Sequence, residues 1–228
     1  VAIADPVLAR GAAPESVGAD VLIFDDPIEL LKQERPDIVH VVTPPETHAA
    51  LARLALDAGC HVYVEKPFTP TAAETESLLA LAARRGLTVC PGHQCLFERP
   101  ALMALDALPG IGTLVHVESH FSFRMTRRSI TPVEQVKDIL PHAVYPIVEQ
   151  LRAGSKLPDT PLALVGLDVR SSGEVYALVR LGPCTGVIIV TLNGRPIEQY
   201  QHLVGTNGCV RADYLTGSVV NLPGPGTG

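Results

Sequence analysis

Short continuous apolar runs, set apart by helix-length segments, constrain this chain most. Residues 1–5, 37–42 (Asp-Ile-Val-His-Val-Val), 61–64 and 87–90 are such runs. They suit strands of a parallel sheet covered on both faces. Helix signals fall between them. Asp26-Pro27-Ile28-Glu29 combines a capping aspartate, proline at the first helical position and a glutamate three residues on, which predicts a helix to about Arg35. A second helix is expected from Thr47 to Ala58, ending at Gly59. A third starts at the capping box Thr71-Ala72-Ala73-Glu74 and stops at Gly86. This β-α-β-α-β alternation implies a doubly wound parallel sheet.

The pattern changes after about Pro100. One more helix is expected over 100–108, followed by a long strand over 113–123 and a polar, basic loop over 124–136. A helix is expected near 138–153, with Pro141 in its first turn and Pro146 as a kink. Strands follow at 162–170, 174–181, 185–193, 197–204 and 208–214, separated by turns at Ser172-Gly173, Asn193-Gly194 and Asn207-Gly208. The expected architecture is therefore α/β. A partial Rossmann domain over 1–99 precedes an α+β domain over 100–228 with a mostly antiparallel open sheet. The first five residues already read as a strand and the last six follow one, so both ends are expected to fall inside domains of a longer protein.

Composition narrows the partners. Lys and Arg number 18 against 24 Asp and Glu, for a formal charge of −6, and Arg127-Arg128 is an isolated basic pair. With no basic stripe and no run of membrane-spanning length, neither nucleic acid nor a membrane is expected as partner. The five cysteines are odd in number and lack the spacing of a zinc site, so reduced thiols in a cytoplasmic protein are expected, with no metal.

Candidate chemistry gathers where strands end. Glu65-Lys66-Pro67 follows the run His61–Val64, and a charged pair before proline delivers Lys66 to the sheet's carboxyl edge, where open α/β sheets bind ligands. A lysine beside such a crevice can exchange a proton with a substrate oxygen. Asp5 ends the first run and is either a ribose ligand or the cap of the next turn. Thr43-Pro44-Pro45-Glu46-Thr47-His48 feeds a helix N-terminus suited to a phosphate or adenosine edge, or is a plain strand-to-helix loop capped by Thr47. Gln94, after Gly92-His93, either bonds a carboxamide or substrate hydroxyl or is loop structure. Asp138 and His142 are four apart around a helix start, and form either a general base with its tuning carboxylate or a helix-end aspartate with a packed histidine. Gly205-Thr206-Asn207-Gly208 lies between antiparallel strands and reads as a hairpin, not a phosphate loop.

Taken in order, these pieces resemble the Gfo/Idh/MocA family of oxidoreductases. The resemblance rests on Asp5-Pro6, Thr43-Pro44-Pro45-x-x-His48, Gly59-Cys60-His61-Val62-Tyr63-Val64-Glu65-Lys66-Pro67, Gly92-His93-Gln94 and Asp138-x-x-x-His142. It implies an NAD(P)-dependent dehydrogenase acting on a secondary alcohol of a sugar, cyclitol or related polyol. In that reading Lys66 is the catalytic lysine, His142 the general base and Asp138 its neighbour. Asp5 is the ribose ligand, favouring NAD over NADP, and Thr43, Pro44, His48, Glu65 and Gln94 are cofactor-side contacts. An NAD-dependent glycosidase and a non-catalytic dinucleotide-binding relative are the alternatives. A homodimer or homotetramer through the C-terminal sheet is expected, since Val175, Ala177, Val179 and Leu181 need burial on at least one side.

Three departures from the family stand out. The first strand and its Gly-rich turn are absent, because the chain begins at the family's second strand. Thr131-Pro132-Val133-Glu134-Gln135-Val136 replaces a Gly-rich lead-in to the aspartate. Tyr145 and Pro146 stand where a further acidic residue is frequent.

Overall fold

The computed structural model describes residues 1–11, 16–124, 130–157 and 160–224. Arg127-Arg128 and part of the expected basic loop lie outside the described residues. The chain divides into two compact units, Val1–Gly92 and His93–Gly228. His93 and Gln94, read from the sequence as following the first sheet, therefore belong to the second unit.

The first unit alternates strand and helix: β1 (Ala2–Ala4), α1 (Pro6–Arg10), β2 (Leu22–Phe24), α2 (Pro27–Glu34), β3 (Ile38–Val41), α3 (Pro45–Asp57), β4 (His61–Val64), α4 (Ala72–Arg85) and β5 (Val89–Pro91). Local chemistry sets these ends. Asp26 accepts from the Ile28 amide at 2.8 Å to cap α2. Thr71 and Glu74 form the reciprocal capping box of α4, and Gly86 closes that helix in the left-handed region at φ 65°. The strands are all parallel but fall into two sheets, β1-β2 and β3-β4-β5. A cavity of about 730 Å³ is lined by β1 on one side and by β3 and α3 on the other. That division corrects the expectation of uniformly buried strands: no residue of β1 is buried, and Ile38 and Val42 are exposed. The strand β2, only three residues long, was not expected from the sequence. The core lies between α3, α4 and β4, where Ala52, Leu56, Val62, Val64 and Leu78 are buried.

The second unit opens with a 3₁₀ turn (Gln94–Phe97) and α5 (Arg99–Ala107), then β6 (Leu114–Ser122) and the long α6 (Pro132–Ser155). Six strands follow: β7 (Ala163–Arg170), β8 (Glu174–Leu181), β9 (Cys184–Thr191), β10 (Gln199–Gly205), β11 (Gly208–Asp213) and β12 (Val219–Pro223). They join β6 in one sheet of order β12-β11-β10-β6-β9-β8-β7. Only β6 and β9 pair parallel; the other pairs are antiparallel. The hairpin read at Gly205–Gly208 joins β10 to β11, and the Asn207 amide donates to the Ile111 carbonyl at 2.8 Å. A Cβ on Gly205 would sit 2.1 Å from that carbonyl oxygen, so only glycine lets the hairpin approach this closely.

The helix α6 covers one face of this sheet. Val136, Ile139, Ala143, Ile147 and Leu151 recur at three- and four-residue spacing and are buried against Val117, Val179, Ile188 and Leu203, among others. Its start is six residues earlier than the sequence reading of 138. Thr131 caps it, Glu134 completes a capping box and Pro132 takes the first position, a combination that contributes about 1 kcal/mol for the cap alone. Asp138 and His142 are thus in mid-helix, and Pro141 is interior rather than in the first turn. An interior proline costs about 3 kcal/mol in an isolated helix. The helix carries two, and burying Val136, Ile139, Ile147 and Leu151 contributes about 1.5–3 kcal/mol each, which offsets both.

Val175, Ala177, Val179 and Leu181 face α6 and are already buried. The face of β8 left open carries Tyr176 and Leu178 instead. All five cysteines are free thiols. Among the described residues, no helix is long and apolar enough to cross a membrane, and no cluster of three metal-ligating side chains forms.

Candidate active site

The carboxyl ends of β3, β4 and β5 form one edge of the first unit. The Glu65 amide donates to the Val41 carbonyl at 2.9 Å, and the Gly92 amide to the Val64 carbonyl at 2.7 Å. These bonds carry the parallel ladder past the strand ends, so Glu65 and Lys66 leave β4 at the edge itself. Gly92 crosses that exit tightly: a Cβ there would lie 3.2 Å from the Glu65 Cα and 3.0 Å from the Tyr63 hydroxyl. The Lys66 amide donates to Glu65 Oε2 at 3.2 Å, and both side chains are half-buried.

Thr43 and Pro44 lead from β3 into α3. The Thr43 and Thr47 hydroxyls are 2.7 Å apart, and Thr47 donates to the Pro44 carbonyl at 2.8 Å. Thr47 does not cap the helix: the N-cap position is Pro44, with no side-chain cap bond. His48 is 1% exposed, with Nε2 2.7 Å from the Thr43 carbonyl and Nδ1 2.9 Å from the Pro67 carbonyl. A ring with both nitrogens on main-chain oxygens acts as a strut between the Thr43 loop and the segment that carries Lys66.

Asp5 stands at the end of β1, where Oδ1 accepts from the amides of Val7 at 2.7 Å and Leu8 at 3.1 Å. Of the two sequence readings of Asp5, the capping one is realised in this geometry through that oxygen.

The second unit carries a separate cluster around His142. Its Nδ1 is 3.0 Å from the Tyr145 hydroxyl and 3.7 Å from Cys95 Sγ. The Cys95 amide donates to the same Tyr145 oxygen at 3.2 Å, and Gln199 Nε2 donates to Cys95 Sγ at 3.8 Å. His93 stacks on Tyr145, with ring centroids 4.2 Å apart and planes 13° from parallel. Phe121 lies along His142 at 6.2 Å. Burial pushes the Tyr145 phenol far above its ordinary range, raises the Cys95 thiol and lowers His93. The groups around His142 Nδ1 are therefore neutral at ordinary pH. Asp138 lies one turn before His142 on the same helix face. Gln94 begins the 3₁₀ turn and is exposed.

The sequence reading did not assign His93, Cys95 or Tyr145 a part in this cluster. Tyr145 was visible only as a departure from the family pattern, three residues after His142. That spacing places it on the same side of the helix.

Residues 1–93 match the family model GFO_IDH_MocA, described as an oxidoreductase family with an NAD-binding Rossmann fold. Over those residues the chain matches the Gfo/Idh/MocA family. Among its curated relatives is the uncharacterized oxidoreductase YhhX of Escherichia coli, 36% identical over 140 residues, which cover 59% of this chain and 39% of YhhX. The UDP-N-acetylglucosamine 3-dehydrogenase of Acidithiobacillus ferrooxidans is 44% identical over 106 residues, 46% of this chain and 33% of that enzyme. The chain thus spans less than half the length of these relatives. In fold, it resembles the crystal structure of an NAD binding oxidoreductase from Klebsiella pneumoniae with a TM-score of 0.79 at 19% identity, covering 96% of this chain and 66% of that one.

Proposed function

We propose that the chain is part of an NAD-dependent dehydrogenase that transfers a hydride between a secondary alcohol of a sugar, cyclitol or related polyol and nicotinamide. The observation that carries this reading is the delivery of Glu65 and Lys66 to the carboxyl edge of β4 in a chain that matches this family over residues 1–93. The relative named for oxidation at carbon 3 of a sugar nucleotide supports the substrate class.

The residues present fit the two ends of a nicotinamide dinucleotide. Asp5 uses Oδ1 to cap α1, and a carboxylate has a second oxygen to meet a ribose hydroxyl and repel a 2′-phosphate. The N-terminus of α3 lacks a side-chain cap, so its amides suit the polar edge of a cofactor. Thr43, Pro44, His48, Glu65 and Gln94 are the further cofactor-side residues in this reading, His48 through the main-chain oxygens it holds. The sequence contains no Gly-x-Gly-x-x-Gly, so the pyrophosphate is not assigned to residues of this chain.

When bound, nicotinamide supplies a hydride acceptor at its C4. Lys66 hydrogen-bonds the reacting oxygen and stabilises the charge that develops on it. His142 takes the hydroxyl proton, and Asp138, one turn away, supports the imidazolium that results. Turnover of NAD with a panel of sugars and cyclitols tests the reading. Reduction of NAD by at least one secondary alcohol, lost in Lys66→Met, is expected; no turnover across the panel by a chain that binds NAD removes the dehydrogenase assignment.

A further inference from the structure

The buried cluster of His93, Cys95, Tyr145 and Gln199 around His142 has a chemical logic that the dehydrogenase reading does not use. We propose that Tyr145 is the positioning residue of His142: its phenol oxygen accepts the Nδ1 hydrogen, so that Nε2 is the ring nitrogen that exchanges a proton with substrate. The proposal rests on His142 being the base, since it says which of its nitrogens works.

A phenol oxygen has two lone pairs and one hydrogen. The Cys95 amide, which can only donate, occupies one lone pair at 3.2 Å. His142 Nδ1, at 3.0 Å, takes the second by donating into it. The phenol hydrogen is then left for the Cys95 sulfur, on the residue whose amide already holds the same oxygen. That sulfur in turn receives the Gln199 amide hydrogen at 3.8 Å. In this arrangement the Cys95 amide, the phenol, Nδ1 and the Gln199 amide each have an acceptor, and neutral His142 carries its hydrogen on Nδ1 and its lone pair on Nε2.

Rigidity supports the same assignment. Tyr145 is buried, and its ring is held by the stack with His93. Cys95 is 4% exposed and anchors the phenol through the main chain, which cannot rotate away. A positioning partner is usually a carboxylate, which accepts hydrogen bonds and adds a negative charge. Here a neutral phenol fixes the ring without that charge. The titratable and charged groups facing Tyr145 are His93, Cys95 and Glu98 from the segment before α5, and His142 on α6; Asp138 precedes His142 by one turn.

The experiment is nitrogen-15 NMR of the imidazole rings, with His142 assigned by the loss of its signals in His142→Asn. The expected result is the Nδ1–H tautomer for neutral His142 in the parent. In Tyr145→Phe, which keeps the ring on His93 and removes only the oxygen, a shift toward the Nε2–H form is expected. On a turned-over alcohol, Tyr145→Phe should lower kcat about tenfold with little change in KM and should move the acidic limb of the pH–rate profile. A parent ring with its hydrogen on Nε2, or a tautomer indifferent to Tyr145→Phe, overturns the proposal. Because the first of these is read on the parent, it holds even if the variant fails to fold. Normal turnover by His142→Asn together with the expected tautomer would instead remove His142 as base and leave the Tyr145 contact standing.

Discussion

The buried ring of His48 holds the Pro67 carbonyl at 2.9 Å, which ties helix α3 to the residue directly after Lys66. Its other nitrogen holds the Thr43 carbonyl, so one side chain fixes the exits of both β3 and β4. His48→Leu preserves bulk and removes the one N–H that a neutral ring can donate to either carbonyl. A loss of about 1–3 kcal/mol in stability is expected, read as a lower urea midpoint at constant m-value. In an active protein, kcat should fall more than NAD affinity, because the disturbed element is the one carrying Lys66. An unfolding midpoint equal to the parent's would show that the strut contributes nothing.

Lys66 itself is tested by Lys66→Met, which retains length and removes charge and donors. A fall in kcat of roughly 10²-fold with unchanged NAD affinity is expected for loss of a group acting in the transition state. Near-normal turnover would end the assignment of Lys66 as a catalytic residue.

Asp5 combines a structural bond with a proposed cofactor contact, and Asp5→Ser separates them. Serine also caps helices well, so thermal stability should change by less than about 1 kcal/mol. The preference for NAD over NADP should narrow, because the charge that repels a 2′-phosphate is gone. Competition binding of the two cofactors to parent and variant decides it, and an unaltered ratio rules Asp5 out as the discriminator.

His93 gives stability a pH dependence. Burial lowers its folded pKa below the unfolded value near 6.5, so the unfolded chain binds more protons just below that pH. Stability should therefore hold above about pH 6.5 and decline as pH falls toward the depressed folded value. His93→Phe keeps a ring to stack on Tyr145 and should flatten this part of the curve. Equal slopes for parent and variant between pH 5 and about 6.5 would exclude His93 as the source.

The open face of the second sheet leads to a prediction about association. Tyr176 and Leu178 point away from α6, and the neighbouring edge strand β7 is exposed along its whole length. Homo-oligomerisation through this face is expected. Leu178→Lys should shift sedimentation toward a monomer without lowering the melting temperature of the monomer itself. A parent that sediments as a monomer at all micromolar concentrations contradicts the prediction.

Elements with local punctuation were legible in the sequence. Thr71, Glu74 and Gly86 bound α4 as read, and Asp26-Pro27 opened α2, because capping bonds involve neighbours only. The start of α6 was misread although Thr131-Pro132-x-Glu134 carries the same signature. Pro141 looked like a first-turn residue, and tertiary burial of Pro146 and Ile147 lets the helix run through both prolines. The contact between Tyr145 and Cys95 joins residues 50 apart in sequence, beyond the reach of any periodicity. The apolar runs did not show the split between β1-β2 and β3-β4-β5, since a run does not record which neighbour it lacks; only the first strand missing from the family pattern pointed to it.

That split has a consequence for how the first unit opens. Among its described strands only β4 has a partner on both sides, and its Val62 and Val64 are buried. Amide hydrogens of β4 should therefore be the last to exchange with solvent deuterium, while those of the β1-β2 ribbon exchange first, through openings that leave the β3-β4-β5 core intact. The first unit then loses its order in two stages, with the ribbon that ends in Asp5 as the earlier one to go.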